Sequence, residues 1–75
     1  MTHITVYCWP GCSACEATNR YLNRHGIDHL EVDLSTDPAA KAFVEKLGYS
    51  SAPVVVAGSA HWSGMRPDRL LALKP

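Results

Sequence analysis

The sequence predicts an α/β fold of four strands and three helices, in the order β-α-β-α-β-β-α, with a mixed sheet flanked by the helices. Three observations predict it. An alternating, β-branched stretch from Ile4 to Tyr7 is followed, after a turn, by apolar residues at helical spacing. The pair Asp37-Pro38 places a capping side chain directly before a proline suited to a first helical turn. The run Val54-Val55-Val56-Ala57 is apolar at every position, as in a central strand covered on both faces.

The elements follow in order. Ile4–Tyr7 is the first strand, and Cys8-Trp9-Pro10-Gly11 the loop after it. A helix runs from about Ser13 to His25, with Ala14, Ala17, Thr18, Tyr21 and Leu22 as its apolar repeat, and stops at Gly26. Ile27–Leu34 reads as a second strand, and one intervening helix makes the pair parallel and right-handed. The helix opened by Asp37 and Pro38 buries Ala40, Phe43, Val44 and Leu47 and ends at Gly48. Ser50-Ser51-Ala52 leads to Pro53 and the valine strand. Gly58-Ser59 turns the chain into a short returning strand, Ala60-His61-Trp62, which Ser63-Gly64 breaks. Pro67 starts a last helix carrying Leu70, Leu71 and Leu73.

Composition excludes several function classes. The chain has 75 residues, room for a single domain over 1–75, and 47% of them are hydrophobic. Formal net charge is zero, so there is no basic surface for nucleic acid. No apolar stretch approaches the roughly 18 residues that span a bilayer. The N-terminal segment lacks the charged start and apolar run of a secretory signal, which points to a cytoplasmic setting. In that compartment cysteine pairs are catalytic or metal-binding more often than structural.

The chemistry concentrates at Cys12-Ser13-Ala14-Cys15. Two thiols three residues apart, at the start of a helix, share one helix face and can bridge. The first N–H groups of a helix have no internal partner and carry partial positive charge, which stabilises a thiolate at Cys12. Cys15, one turn further in, lies beneath it. The pattern reads as a dithiol–disulfide exchange site, and a CxxC opening the first helix of a β-α-β unit is the thioredoxin-like redox pattern. The competing reading is half a metal site. A structural zinc site needs four ligands, and His3, His25, His29 and His61 show no paired spacing. Cys8, Cys12 and Cys15 together also leave an iron–sulfur module open, which metal content would decide.

These features together resemble the NrdH-type redoxins, small glutaredoxin-like proteins. The resemblance rests on the order of elements, Cys12-Ser13-Ala14-Cys15, Ala52-Pro53-Val54-Val55-Val56, and His61-Trp62-Ser63-Gly64-Met65-Arg66-Pro67-Asp68. It covers essentially the whole chain and implies a minimal thioredoxin/glutaredoxin fold. It further implies that Cys12 is the nucleophile, Cys15 the resolving thiol, and that no metal or organic cofactor is needed. Thioredoxin reductase would reduce the protein, and class Ib ribonucleotide reductase would receive its electrons. A monomer is expected, with no nucleic acid or membrane partner. The Ala52–Pro53 bond is expected to be cis, leaving Ala52 backbone groups to pair with an extended substrate. Trp62 reads equally as a packing residue of a small core or as a partly exposed contact, and is placed among the partner contacts. Ser63, Gly64 and Arg66 would brace the loop joining the last strand and helix. A glutathione-dependent glutaredoxin is the alternative, disfavoured because no Lys or Arg is evident beside the active turn. The chain departs from its relatives at Ser13-Ala14, Met65 and Cys8. Cys8 is expected to be a thiol outside the catalytic cycle.

Overall fold

The computed structural model describes residues 3–73. It contains β1 (Ile4–Cys8), α1 (Ser13–Arg24), β2 (Leu30–Asp33), α2 (Pro38–Lys46), β3 (Val54–Ala57), β4 (Ala60–Ser63) and α3 (Pro67–Leu71). The sheet order is β2-β1-β3-β4. β1 and β2 are parallel, while β3 runs antiparallel to both β1 and β4. The fold is therefore the predicted one: a four-stranded mixed sheet with three helices.

Strand alternation sends side chains to two cores. On one face Ile4, Val6, Val55, Ala57 and Trp62 pack with Leu22 and Ile27 and with Leu70 of α3. On the other, Val54 packs with Leu34 and with Ala40 and Val44 of α2, joined by the half-buried Tyr7, Val32, Tyr49 and Val56. β3 supplies both cores in turn, which is why its sequence is apolar at every position.

Local signals set the helix ends. The Cys12 sulfur caps α1 by accepting the Cys15 N–H at 3.3 Å. Gly26 closes the helix at φ 65°, and the Ile27 N–H reaches back to the Leu22 carbonyl at 2.9 Å. Asp37 caps α2 by accepting the Ala40 N–H at 3.0 Å, with Pro38 in the first turn.

Several sequence expectations change. Cys8 and Ser63 end β1 and β4 rather than lying in the following loops. The second strand is shorter than Ile27–Leu34. Ile27 belongs to the helix cap, and His29 hydrogen-bonds the Ile27 carbonyl at 3.0 Å, so residues 27–29 form the connection. Phe43 is 41% exposed rather than buried, because α2 turns Ala40 and Val44 inward and leaves the Phe43 ring against Tyr7, 5.7 Å between centroids. α3 is a short helix in which Leu70 is fully buried while Leu71 lies outside the core. His25 is the cap of α1 rather than its last helical residue. Among the described residues, no helix is long and apolar enough to cross a membrane.

Candidate active site

Strand β1 ends at Cys8 and the loop Trp9-Pro10-Gly11 turns the chain into α1. Cys12 therefore sits at the helix N-terminus, with extended backbone (φ −84°, ψ 112°) and a half-buried side chain. Its sulfur accepts the Cys15 N–H at 3.3 Å, and its thiol points to the Ala52 carbonyl at 3.8 Å. The Ala52–Pro53 peptide is cis, and Pro53 is buried beneath this contact region. The chain segments carrying Cys12 and Ala52 are 40 residues apart in sequence and meet here.

Cys15 is only 3% exposed. Burial pushes its thiol well above the ordinary range, and hydrogen bonds with Cys12 and Cys8 add to the effect. Burial likewise raises the Cys8 thiol, against the opposing effect of hydrogen bonds from Cys15 and Asn19. The two cysteines of the motif thus differ in kind: Cys12 opens toward the surface, and Cys15 is held neutral beneath it.

A raised thiol value has a stability consequence. In the unfolded chain Cys15 would ionise near its ordinary value of about 8.5. The folded state favours the neutral form, so this contribution to stability is complete below about pH 8.5 and is lost as pH rises above it. The reduced protein should therefore lose more thermal stability between about pH 8 and pH 10 than reduced Cys15→Ser, which carries no thiol there. Equal losses in melting temperature would count against a neutral buried Cys15.

The loop after β4 is tied to the cis-proline segment. The Gly64 N–H donates to the Pro53 carbonyl at 2.8 Å, and the Ser63 hydroxyl donates to the Ser51 carbonyl at 3.0 Å. Gly64 has φ 89°, a backbone conformation that side chains with a Cβ rarely adopt. Arg66 does not join this brace. Its guanidinium grips Asp68 through Nε at 3.2 Å and a terminal nitrogen at 3.0 Å, an exposed pair at the start of α3. Trp62 is 4% exposed and packs inside the core, so it offers no open face to a partner. Its position opposite Val55 on β3 directs the ring inward, where the Arg69 guanidinium lies 5.2 Å from the ring centroid.

Several site features were not evident in the sequence. Lys41 of α2 lies beside the active turn, its ammonium 5.8 Å from the Trp9 ring centroid. This corrects the expectation that no cation stands there, and the two side chains share a groove of about 150 Å³ with Tyr49 and Ser51. Thr18 is fully buried on α1, its hydroxyl donating to the Ala14 carbonyl at 2.9 Å and touching the Met65 sulfur at 3.4 Å. Asn19 reaches Cys8, with 3.9 Å between its amide nitrogen and the sulfur. Helical spacing from Cys15 could have placed Thr18 and Asn19 near the thiols; nothing local could have brought Lys41 to Trp9.

Comparisons with known proteins agree with this geometry. The family model described as Glutaredoxin matches residues 4–62. The chain is 36% identical over 72 residues to the glutaredoxin-like protein NrdH of Escherichia coli, covering 96% of this chain and 89% of that protein. NrdH of Lactococcus lactis subsp. cremoris is 30% identical over 70 residues, covering 93% and 97%. Among solved structures, the NrdH-redoxin of Escherichia coli superposes with a TM-score of 0.94 at 36% identity, covering 97% of this chain and 96% of that one. The glutaredoxin of Archaeoglobus fulgidus gives 0.79 at 29% identity, covering 97% and 86%.

Proposed function

The chain belongs to the glutaredoxin family and is a thiol–disulfide oxidoreductase of NrdH type; from that premise we propose that it carries electrons from thioredoxin reductase to class Ib ribonucleotide reductase. The observation that carries this reading is the full-length likeness to an NrdH-redoxin whose description gives it a thioredoxin-like activity profile. A cytoplasmic setting belongs to the same reading, because thiols stay reduced there.

The proposed mechanism has two steps. The Cys12 thiolate attacks one sulfur of the substrate disulfide, forming a mixed disulfide and releasing the other substrate sulfur as a thiolate. Cys15 loses its proton and attacks the Cys12 sulfur, closing the Cys12–Cys15 bridge and releasing the second substrate thiolate. Two electrons pass to the substrate, and the two sulfurs carry both, so the cycle needs no metal or organic cofactor. The Cys15 N–H donates to the Cys12 sulfur at 3.3 Å, at the positive end of the helix, which favours that sulfur as attacking and leaving group. An extended substrate segment would lie along Ala52, displacing the Cys12 contact to its carbonyl.

Lys41 beside Trp9 gives the glutathione-dependent alternative a cation for a carboxylate. Turnover with the two reductants separates them. NADPH consumption should be sustained with thioredoxin reductase and slight with glutathione plus glutathione reductase. The opposite ordering would make the chain a glutathione-dependent glutaredoxin.

A further inference from the structure

Two segments meet at Cys12: the first turn of α1 and the cis-proline segment. Their outer link is the contact of the Cys12 thiol with the Ala52 carbonyl at 3.8 Å. A deeper link joins the same two segments. The Pro53 carbonyl accepts the Gly64 N–H at 2.8 Å. The next residue, Met65, brings its sulfur to 3.4 Å from the Thr18 hydroxyl. Thr18 rides on α1, and its hydroxyl donates at 2.9 Å to the carbonyl of Ala14, which lies between the two cysteines. The contacts close a ring that runs from the first turn of α1 to the cis-proline segment and back.

The two links differ in permanence. The Cys12 thiol donates to Ala52 only while it keeps its proton, and the reactive thiolate has none to give. An incoming disulfide then occupies the Cys12 sulfur. Neither event touches the deeper link. Thr18 has no exposed surface (0%), and Met65 is half-buried against the core that holds Leu22, Trp62 and Leu70. Packing alone does not call for a hydroxyl at Thr18. Valine has nearly the same shape, and a buried polar group costs stability unless it is bonded.

We propose, on the reading that an extended substrate segment lies along Ala52, that Thr18 and Met65 are positioning residues for the exchange reaction. Their contact holds the cis-proline segment at a fixed distance from the first turn of α1 while Cys12 is a thiolate. Neither is a reacting group, and their effect falls on docking. A substrate strand must pair with the Ala52 backbone while its sulfur meets Cys12. Without the tether that spacing varies, and only part of the population can dock. Apparent affinity falls in proportion to that fraction. Once docked, the substrate meets an unchanged pair of thiols.

The test uses the full chain, with insulin as the protein disulfide and dithiothreitol as the reductant, so no reductase enters it. Thr18→Val removes the hydroxyl and keeps the shape. Met65→Leu removes the sulfur at similar volume. Each should raise KM for insulin about fivefold, the scale of one lost hydrogen bond, with kcat close to wild type. Thr18→Ser, which keeps a hydroxyl, should restore KM. A purely structural role would lower the amount of active protein, and so kcat, at unchanged KM. That pattern overturns the proposal, as does a Thr18→Ser variant no better than Thr18→Val. The tether is also tested without substrate, by urea unfolding of the two reduced single variants and the double. The double variant should lose less stability than the sum of the singles, because both remove the same contact. Strictly additive losses overturn the proposal. Failure of the thioredoxin reductase assay would leave these results standing and fall on the proposed function alone.

Discussion

Cys12→Ser is expected to abolish turnover with thioredoxin reductase, while Cys15→Ser is expected to accumulate a mixed disulfide with its substrate. The two cysteines occupy different environments, and the variants should fail differently for that reason. Cys12 is the half-buried cap of α1, facing the Ala52 carbonyl, so removing its sulfur removes the atom a substrate disulfide can reach. Cys15 is 3% exposed and its thiol is held neutral, so it meets no external disulfide directly. Without it the first exchange proceeds and the second does not. A non-reducing gel shift should show the trapped species with Cys15→Ser and not with Cys12→Ser. Trapping by Cys12→Ser instead would reassign the nucleophile.

Trp62→Ala should destabilise the protein by about 3–5 kcal/mol, the usual cost of emptying a large aromatic site in a core. A domain of this length has a total stability of roughly 4–11 kcal/mol, so the loss is a large fraction of it. Trp62 is buried with Ile4, Val55 and Leu70, and Arg69 covers its ring. Among the described residues its indole N–H is buried without a partner, a polar group whose burial is not repaid by a hydrogen bond. Trp62→Phe keeps most of the apolar volume and removes that donor, so it should cost far less than the alanine variant. Urea unfolding of the two reduced variants checks this. Similar midpoints for Trp62→Ala and wild type would mean that the ring is not packed as described.

The fold was legible because its signals are local. A cap followed by proline, a glycine after an apolar repeat and an all-valine strand each act over a few residues. The element order then followed from their sequence. The elements that moved are those decided by tertiary contacts. Ile27 reads as β-forming, yet its N–H is taken by the cap of α1, which shortens β2. Phe43 fits the helical period but lies at the edge of the stripe, where α2 leaves it exposed against Tyr7.

The site divides along the same line. Cys12 and Cys15 were legible from spacing alone, since three residues at a helix start bring two sulfurs onto one face. The cis bond at Ala52–Pro53 was legible only through family resemblance; an isolated Ala-Pro pair carries no such message. Trp62 was misplaced as a partner contact because sequence does not state which strand face points to α3. Arg66 has its carboxylate partner two residues away, at Asp68, so its charge is spent at the helix start instead of at the loop. Lys41 and Trp9 are distant in sequence, and only the docking of α2 beside the active turn brings them together.

The proposed cycle requires one thiol of the pair to be a surface nucleophile and the other a protected, neutral partner. Brief alkylation of the fully reduced protein at neutral pH tests it most directly, with the labelled residue read by tandem mass spectrometry. Cys12 should be labelled first, since Cys15 is buried and burial raises both Cys15 and Cys8. Label appearing first on Cys15 would contradict it.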